Sequence, residues 1–147
     1  MRISIGADER LHVVEVALVY LEEKGYKVLW HGPEEGATDP WPEVARRVAM
    51  EVQCGEADQG VLFCWTGTGV CIAANKIKGI RAALCEDAET ARGARLWNNA
   101  NVLCLSMRRT SDVMVKEILE AWFVTMYKPN ETDDACLRLI DEMENPS

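Results

Sequence analysis

The sequence predicts an α/β protein: a three-layer, doubly wound, parallel sheet of five strands, formed by one domain covering residues 1–147. Short apolar runs alternate with longer stretches of helical period along the chain. Two of the runs, QGVLFC at 59–64 and NVLCLS at 101–106, are apolar almost throughout, as strands covered on both faces must be. Strands and helices alternating at these lengths wind into a parallel sheet whose ligands sit outside the carboxyl ends of its strands.

Each element follows from local chemistry. RISIG at 2–6 is a short buried strand, and VVEVALVYLEEKG at 13–25 is a helix stopped by Gly25. YKVLWHG at 26–32 is the second strand. Pro40 and Pro42 mark 34–42 as a loop. The pattern gives a helix at 43–57, the third strand at 59–64, a helix at 70–79 closed by Gly79, a strand at 80–85 and a helix at 89–99. After the fifth strand at 101–106 comes a long helix from 111, with Ser111 as its N-cap. The tail from 133 is a short helix with an apolar stripe at Cys136, Leu137, Ile140 and Met143, suited to docking on a second subunit.

Composition narrows the function. A net charge of −8 without clustered Lys and Arg excludes a nucleic-acid partner. No apolar run approaches the ~20 residues that span a bilayer, so no membrane role is expected. The N-terminus has no secretory pattern, and the six cysteines show neither CxxC pairs nor zinc-like spacing. They read as reduced thiols in a cytoplasm, with no metal site implied.

The chemistry concentrates at FCWTGTGVCIAANK, 63–76. Gly67 and Gly69 let backbone approach a ligand, and the amides opening the next helix favour an anion there. No GK[ST] follows, and Ile72 occupies the third glycine position of a dinucleotide fingerprint, so neither a P-loop nor a nicotinamide site fits. Cys64, last in its strand, reads either as a thiol activated by the helix start or as a small buried hydrophobe. A redox pair of Cys64 with Cys71 is a third possibility, disfavoured by their placement across a turn.

The run GVLFCWTGTGVCIAANKIKGIRAAL at 60–84 resembles the signature of the ribose-5-phosphate isomerase type B and galactose-6-phosphate isomerase family. The likeness extends from Ile3 to about Tyr127. It takes in Gly6 and Asp8 and the NNANVL stretch at 98–103. It implies Rossmann-like subunits, assembled as a homodimer or homotetramer, that interconvert aldose and ketose sugar phosphates through an enediol without a cofactor. In that reading Cys64 is the base. Thr66 and the amides of Gly67, Thr68, Gly69 and Val70 hold the enediolate oxygen, and Asp8 and Asn98 contact the sugar. Outside the resemblance, Asp8 also suits a helix cap, and Asn98 and Asn101 a helix end.

The chain departs from the family pattern at telling places. Glu9 and Trp97 stand where the family has histidines, one of which helps open the sugar ring, leaving only His12 and His31, with His31 read as a surface group. Trp65 replaces a glycine; with Trp97 and Trp41 it suggests a narrower aromatic pocket or an apolar contact between subunits. The family's tail arginines give way to KPNETDDACLR, whose carboxylates would repel a phosphate. Arg108 and Arg109 remain, as phosphate contacts or as ion-pair partners. The resemblance therefore implies a ribose-5-phosphate-like substrate. An unphosphorylated sugar, or a non-catalytic sugar-binding subunit of a paired isomerase, is the alternative.

Overall fold

A computed structural model describes residues 1–147. Five strands, β1 (Arg2–Ala7), β2 (Lys27–His31), β3 (Gln59–Cys64), β4 (Ala82–Leu84) and β5 (Val102–Ser106), form one sheet in the order β2-β1-β3-β5-β4. Every pairing is parallel. The central strand β3 is buried along its whole length, as its unbroken apolar run requires.

Six helices connect and flank the strands: α1 (His12–Glu23), α2 (Trp41–Gln53), α3 (Thr68–Ala74), α4 (Ala88–Asn98), α5 (Asp112–Val124) and α6 (Glu131–Glu144). Two core clusters show the layering. The larger joins one sheet face to α1, α4 and α5 around Phe63, Leu105 and Trp122. The smaller joins the other face to α2 and α3 around Val48, Leu62, Val70 and Cys104. No helix is long and apolar enough to cross a membrane.

The boundaries differ from the sequence reading for local reasons. Pro40 is the N-cap of α2 and Pro42 lies in its first turn, where a proline has no intrahelical bond to lose; the two prolines open the helix instead of ending a loop. Ser111 does cap α5, its hydroxyl accepting from the Met114 amide at 3.1 Å. The third helix begins at Thr68 and stops at Ala74, well short of Gly79.

That early stop has a chemical cause. β4 is an edge strand, and the side chain of Asn75 closes its free side: Ala82 N–H donates to Asn75 Oδ1 at 2.8 Å, and Asn75 Nδ2 donates to the Ala82 carbonyl at 2.9 Å. The exposed strand edge is thereby paired without another strand. On the opposite side, at the approach to β5, Asn101 accepts from Arg81 N–H at 2.8 Å and donates to Gly79 O at 2.9 Å. At the other end of the chain, α6 buries none of its residues; its last turn bonds to its own chain, Glu144 accepting from Gly79 N–H at 2.9 Å.

Candidate active site

The register builds the site. β1 and β3 lie side by side with Ala7 opposite Phe63, so the next residues, Asp8 and Cys64, end the two strands together. On the other side of β3, Cys64 is in register with Ser106. The chain leaves β1 for β2 in one direction and returns past β1 to β3, so the winding reverses between these two strands. A cleft opens at such a switch point, and ligands of doubly wound sheets bind there.

The turn after Cys64 is fixed from behind. Met107 N–H donates to the Cys64 carbonyl at 3.0 Å, and Trp65 O accepts from Arg108 N–H and from the Ser106 hydroxyl, both at 3.0 Å. Ser106 also accepts from Arg109 N–H, at 3.2 Å. These bonds lock the chain leaving β3 to the chain leaving β5, while Trp65 points outward, 57% exposed. Cys64 itself packs with Val70 and Cys104 and is nearly covered.

Gly67 then adopts a left-handed conformation, φ +75°, and a Cβ there would lie 2.6 Å from Leu84 Cδ1 and 2.9 Å from the Leu105 carbonyl carbon. Only glycine meets both demands. The turn it makes starts α3, whose leading amides have no intrahelical acceptor. Thr66 and Thr68 are exposed, their hydroxyls 2.7 Å apart. At Gly69 an added Cβ would come within 3.0–3.2 Å of the Trp41 ring, so that indole lies across the start of the helix.

Asp8 is held close to this turn and left unsatisfied. Its Oδ1 is fully buried without a hydrogen-bond partner. Burial, with a contribution from Glu9, raises its carboxyl above the usual range. It caps no helix, for the N-cap of α1 is Leu11 and carries no side-chain bond. Its backbone carbonyl accepts from Asp39 N–H at 3.0 Å, and the half-buried Glu9 bridges Thr38.

Trp97 and Asn98 lie elsewhere. They end α4, which returns the chain to the start of β5, where the Asn101 carbonyl accepts from Gly60 N–H at the foot of β3. Within one chain they therefore sit at the opposite edge of the sheet from Cys64. Both are exposed, Trp97 by 60%, with its ring packed on Gly93. They help line a cleft of ≈ 490 Å³ between β4 and the apolar stripe of α6, and no residue of the Cys64 turn reaches it.

The remaining candidates are scattered. His12 pairs with Asp112 at 2.9 Å on the surface. His31 differs from its sequence reading: β2 turns it inward, where it meets Glu51 at 2.8 Å with less than a quarter of its side chain exposed. Arg109 lies 4.0 Å from Glu86, whereas the exposed Arg108 has no carboxylate within 4.0 Å. No group of three His, Cys, Asp or Glu side chains has a metal-binding arrangement. Sequence reasoning gave no role to Ser106 or Asn75; the polar residue ending the apolar run of β5 was the available signal for Ser106.

Residues 3–139 match the family described as Ribose/Galactose Isomerase. The chain belongs to this family. The match runs into α6, farther than Tyr127, where the resemblance read from the sequence fades. Among Ribose/Galactose Isomerase relatives, the galactose-6-phosphate isomerase subunit LacB of Clostridium acetobutylicum is 37% identical over 144 residues, covering 97% of this chain and 83% of the relative. The D-erythrulose-4-phosphate isomerase of Pectobacterium atrosepticum is 39% identical, covering 83% of this chain and 82% of its own. The crystal structure of ribose-5-phosphate isomerase B from Mycoplasma genitalium with bound ribulose 5-phosphate superposes with a TM-score of 0.91 at 34% identity, covering 99% and 97%.

Proposed function

We propose that this protein is an aldose–ketose isomerase of sugar phosphates that moves a proton between C1 and C2 of an open-chain sugar, with Cys64 as the base. The observation that carries the reading is the row at the switch point: Cys64 beside Asp8, whose buried Oδ1 lacks a partner, with the free amides that open α3 following Cys64 by three residues. A sugar hydroxyl is the kind of donor that would satisfy Asp8. The enediolate oxygen formed when Cys64 takes the carbon-bound proton would accept from the turn amides, an arrangement typically worth ~10²–10³ in rate per donor. Cys64 then returns the proton to the neighbouring carbon while the hydroxyl proton passes from one of the two oxygens to the other, and no net redox change occurs.

The separation of Asn98 and Trp97 from Cys64 supports a shared site in which one copy supplies the Cys64 turn and a second supplies the end of α4. The same pairing would give α6, which buries nothing in its own chain, a partner to dock on. That Arg108 has no carboxylate within 4.0 Å and is tied through its amide to Trp65 supports a phosphate contact there. One observation favours a second reading, a sugar-binding subunit without its own chemistry: with Trp97 in place of an imidazole, the end of α4 carries no acid for ring opening.

Deuterium uptake at C1 or C2 from heavy water, followed by NMR over sugars of four to six carbons with and without phosphate, tests these readings. Uptake with phosphorylated sugars alone is expected. Uptake with free sugars alone would remove the phosphate role of Arg108, and binding without uptake would favour the non-catalytic subunit.

A further inference from the structure

Trp97 lies at the far edge of the sheet and Trp65 points outward, but Trp41 lays its ring on the start of α3. The winding of the chain brings it there. α2 follows β2 and α3 follows β3, so both helices start at the carboxyl edge of the sheet. They share one apolar cluster, in which Val44, Ala45 and Val48 meet Val70 and Ala74. Pro40, with φ −59° and ψ 125°, turns the chain into α2 and makes Trp41 its first residue. The approach to that turn is tied to the end of β1: Asp39 N–H donates to the Asp8 carbonyl at 3.0 Å, and Thr38 bridges Glu9. Trp41 thus follows the bond to Asp8 by two residues while its ring rests on the neighbouring helix.

The contact is with the leading turn of α3. Gly69 is the second residue of that helix, and a helical Cα–Cβ bond tilts toward the N-terminus. A Cβ at Gly69 would lie 3.0–3.2 Å from Trp41 Cδ2, Cε3 and Cζ3, so the six-membered half of the indole stands beside the free amides. Backed by the helix, the ring has no room to retreat on that side, yet Trp41 remains 42% exposed. An aromatic face fixed beside hydrogen-bond donors offers an apolar surface to the C–H groups of a sugar whose oxygens take the donors.

We propose that Trp41 is a specificity-determining residue of the Cys64 site: its indole is the wall against which the sugar carbons beyond C2 lie, and its fixed position sets how many of them fit. This rests on the reading of the Cys64 turn as a sugar-phosphate site. Cys64, Asp8 and the turn amides act on C1 and C2, which all aldose–ketose pairs share. The wall acts on the remainder of the chain, where such sugars differ. Apolar walls discriminate between substrates one carbon apart by roughly 10–200-fold.

The test compares erythrulose 4-phosphate with ribulose 5-phosphate, which differ by one carbon. Neither has a free hydroxyl placed to close a five- or six-membered ring, so ring opening does not enter. Dissociation constants from calorimetry, and kcat/KM with deuterium uptake, are measured on the intact wild type, Trp41→Ala and Gly69→Ala. Trp41→Ala removes the wall and is expected to raise the preference for the five-carbon sugar roughly tenfold or more. Gly69→Ala keeps the amide but adds the Cβ that presses the ring outward by a few tenths of an ångström, and should lower that preference. Opposite shifts distinguish a wall from lost packing, which weakens both sugars alike. Equal weakening of both, a preference that Trp41→Ala leaves in place, or a wild type that binds neither sugar would overturn the assignment. If both sugars bind without deuterium uptake, the isomerase reading fails and the ratio of dissociation constants still decides the role of Trp41. Should Trp41→Ala fail to fold, the shift in Gly69→Ala decides it.

Discussion

The two edges of the sheet are built to different standards. At the carboxyl edge, Cys64, Trp65 and Ser106 are fixed by hydrogen bonds of 3.0–3.2 Å, and Gly67 has no room for a side chain. At the amino edge, Trp97 is 60% exposed, Met143 is 74% exposed, and an open cleft separates α6 from β4. The first edge is organised within one chain. The second exposes apolar side chains that a single copy does not cover, which in a folded protein marks a contact surface. A rigid region and an uncovered one on the same subunit are what the proposed sharing of a site between copies requires.

The contrast is sharpest at Cys64. Cys64→Ala is expected to lower isomerisation by roughly 10²–10⁴-fold, the usual worth of a positioned acid–base group, in a protein that stays folded and melts only slightly lower for the loss of one buried sulfur. Steady-state rates and a thermal melt on the same sample check this. A comparable loss accompanied by a collapsed melt would assign Cys64 to packing alone.

Gly67→Ala tests the rigidity directly. Its left-handed φ and the contacts with Leu84 and Leu105 should together cost on the order of 2–3 kcal/mol, read by denaturant unfolding. Asn75→Ala comes next. Its amide supplies both a donor and an acceptor to Ala82, and losing them should cost about 1–2 kcal/mol, because water can reach part of the exposed edge.

Asp8→Asn should separate stability from function. The Asp8 carboxyl sits above its ordinary range because burial penalises its charge, so ionised Asp8 opposes folding at neutral pH. The variant is therefore expected to melt higher than wild type at neutral pH. That advantage should shrink as pH falls through the raised carboxyl range, where wild-type Asp8 takes up a proton and escapes the penalty. Turnover should fall throughout. A variant that melts lower at neutral pH would show that the carboxylate supports the fold.

Most of the architecture was legible from the sequence because it follows from periodicity and punctuation. The unbroken apolar run of β3 announced a central strand, Gly25 and Ser111 fell where a stop and a cap were expected, and the alternation of elements gave the parallel sheet. The turn at 64–70 was legible because glycine spacing and a strand-to-helix switch are both local. What escaped depended on neighbours distant in sequence. The Asn75 bonds to Ala82 that end α3 early depend on which strand lies at the edge. The inward turn of His31 depends on Glu51 in α2. The distance between Asn98 and Cys64 follows from the direction of α4, which the sequence reading of both as contacts of one substrate did not contain.

The central claim is that the two edges meet only between copies, and mixed assembly tests it most directly. Cys64→Ala and Asn98→Ala, each weakly active alone, would be unfolded together, refolded as a mixture and assayed. In a two-fold dimer half of the assemblies are mixed, and each mixed pair holds one site with both residues intact, so about a quarter of wild-type turnover is expected to return. A mixture no more active than the two variants assayed separately would contradict the account and place Asn98 and Cys64 in unrelated parts of the molecule.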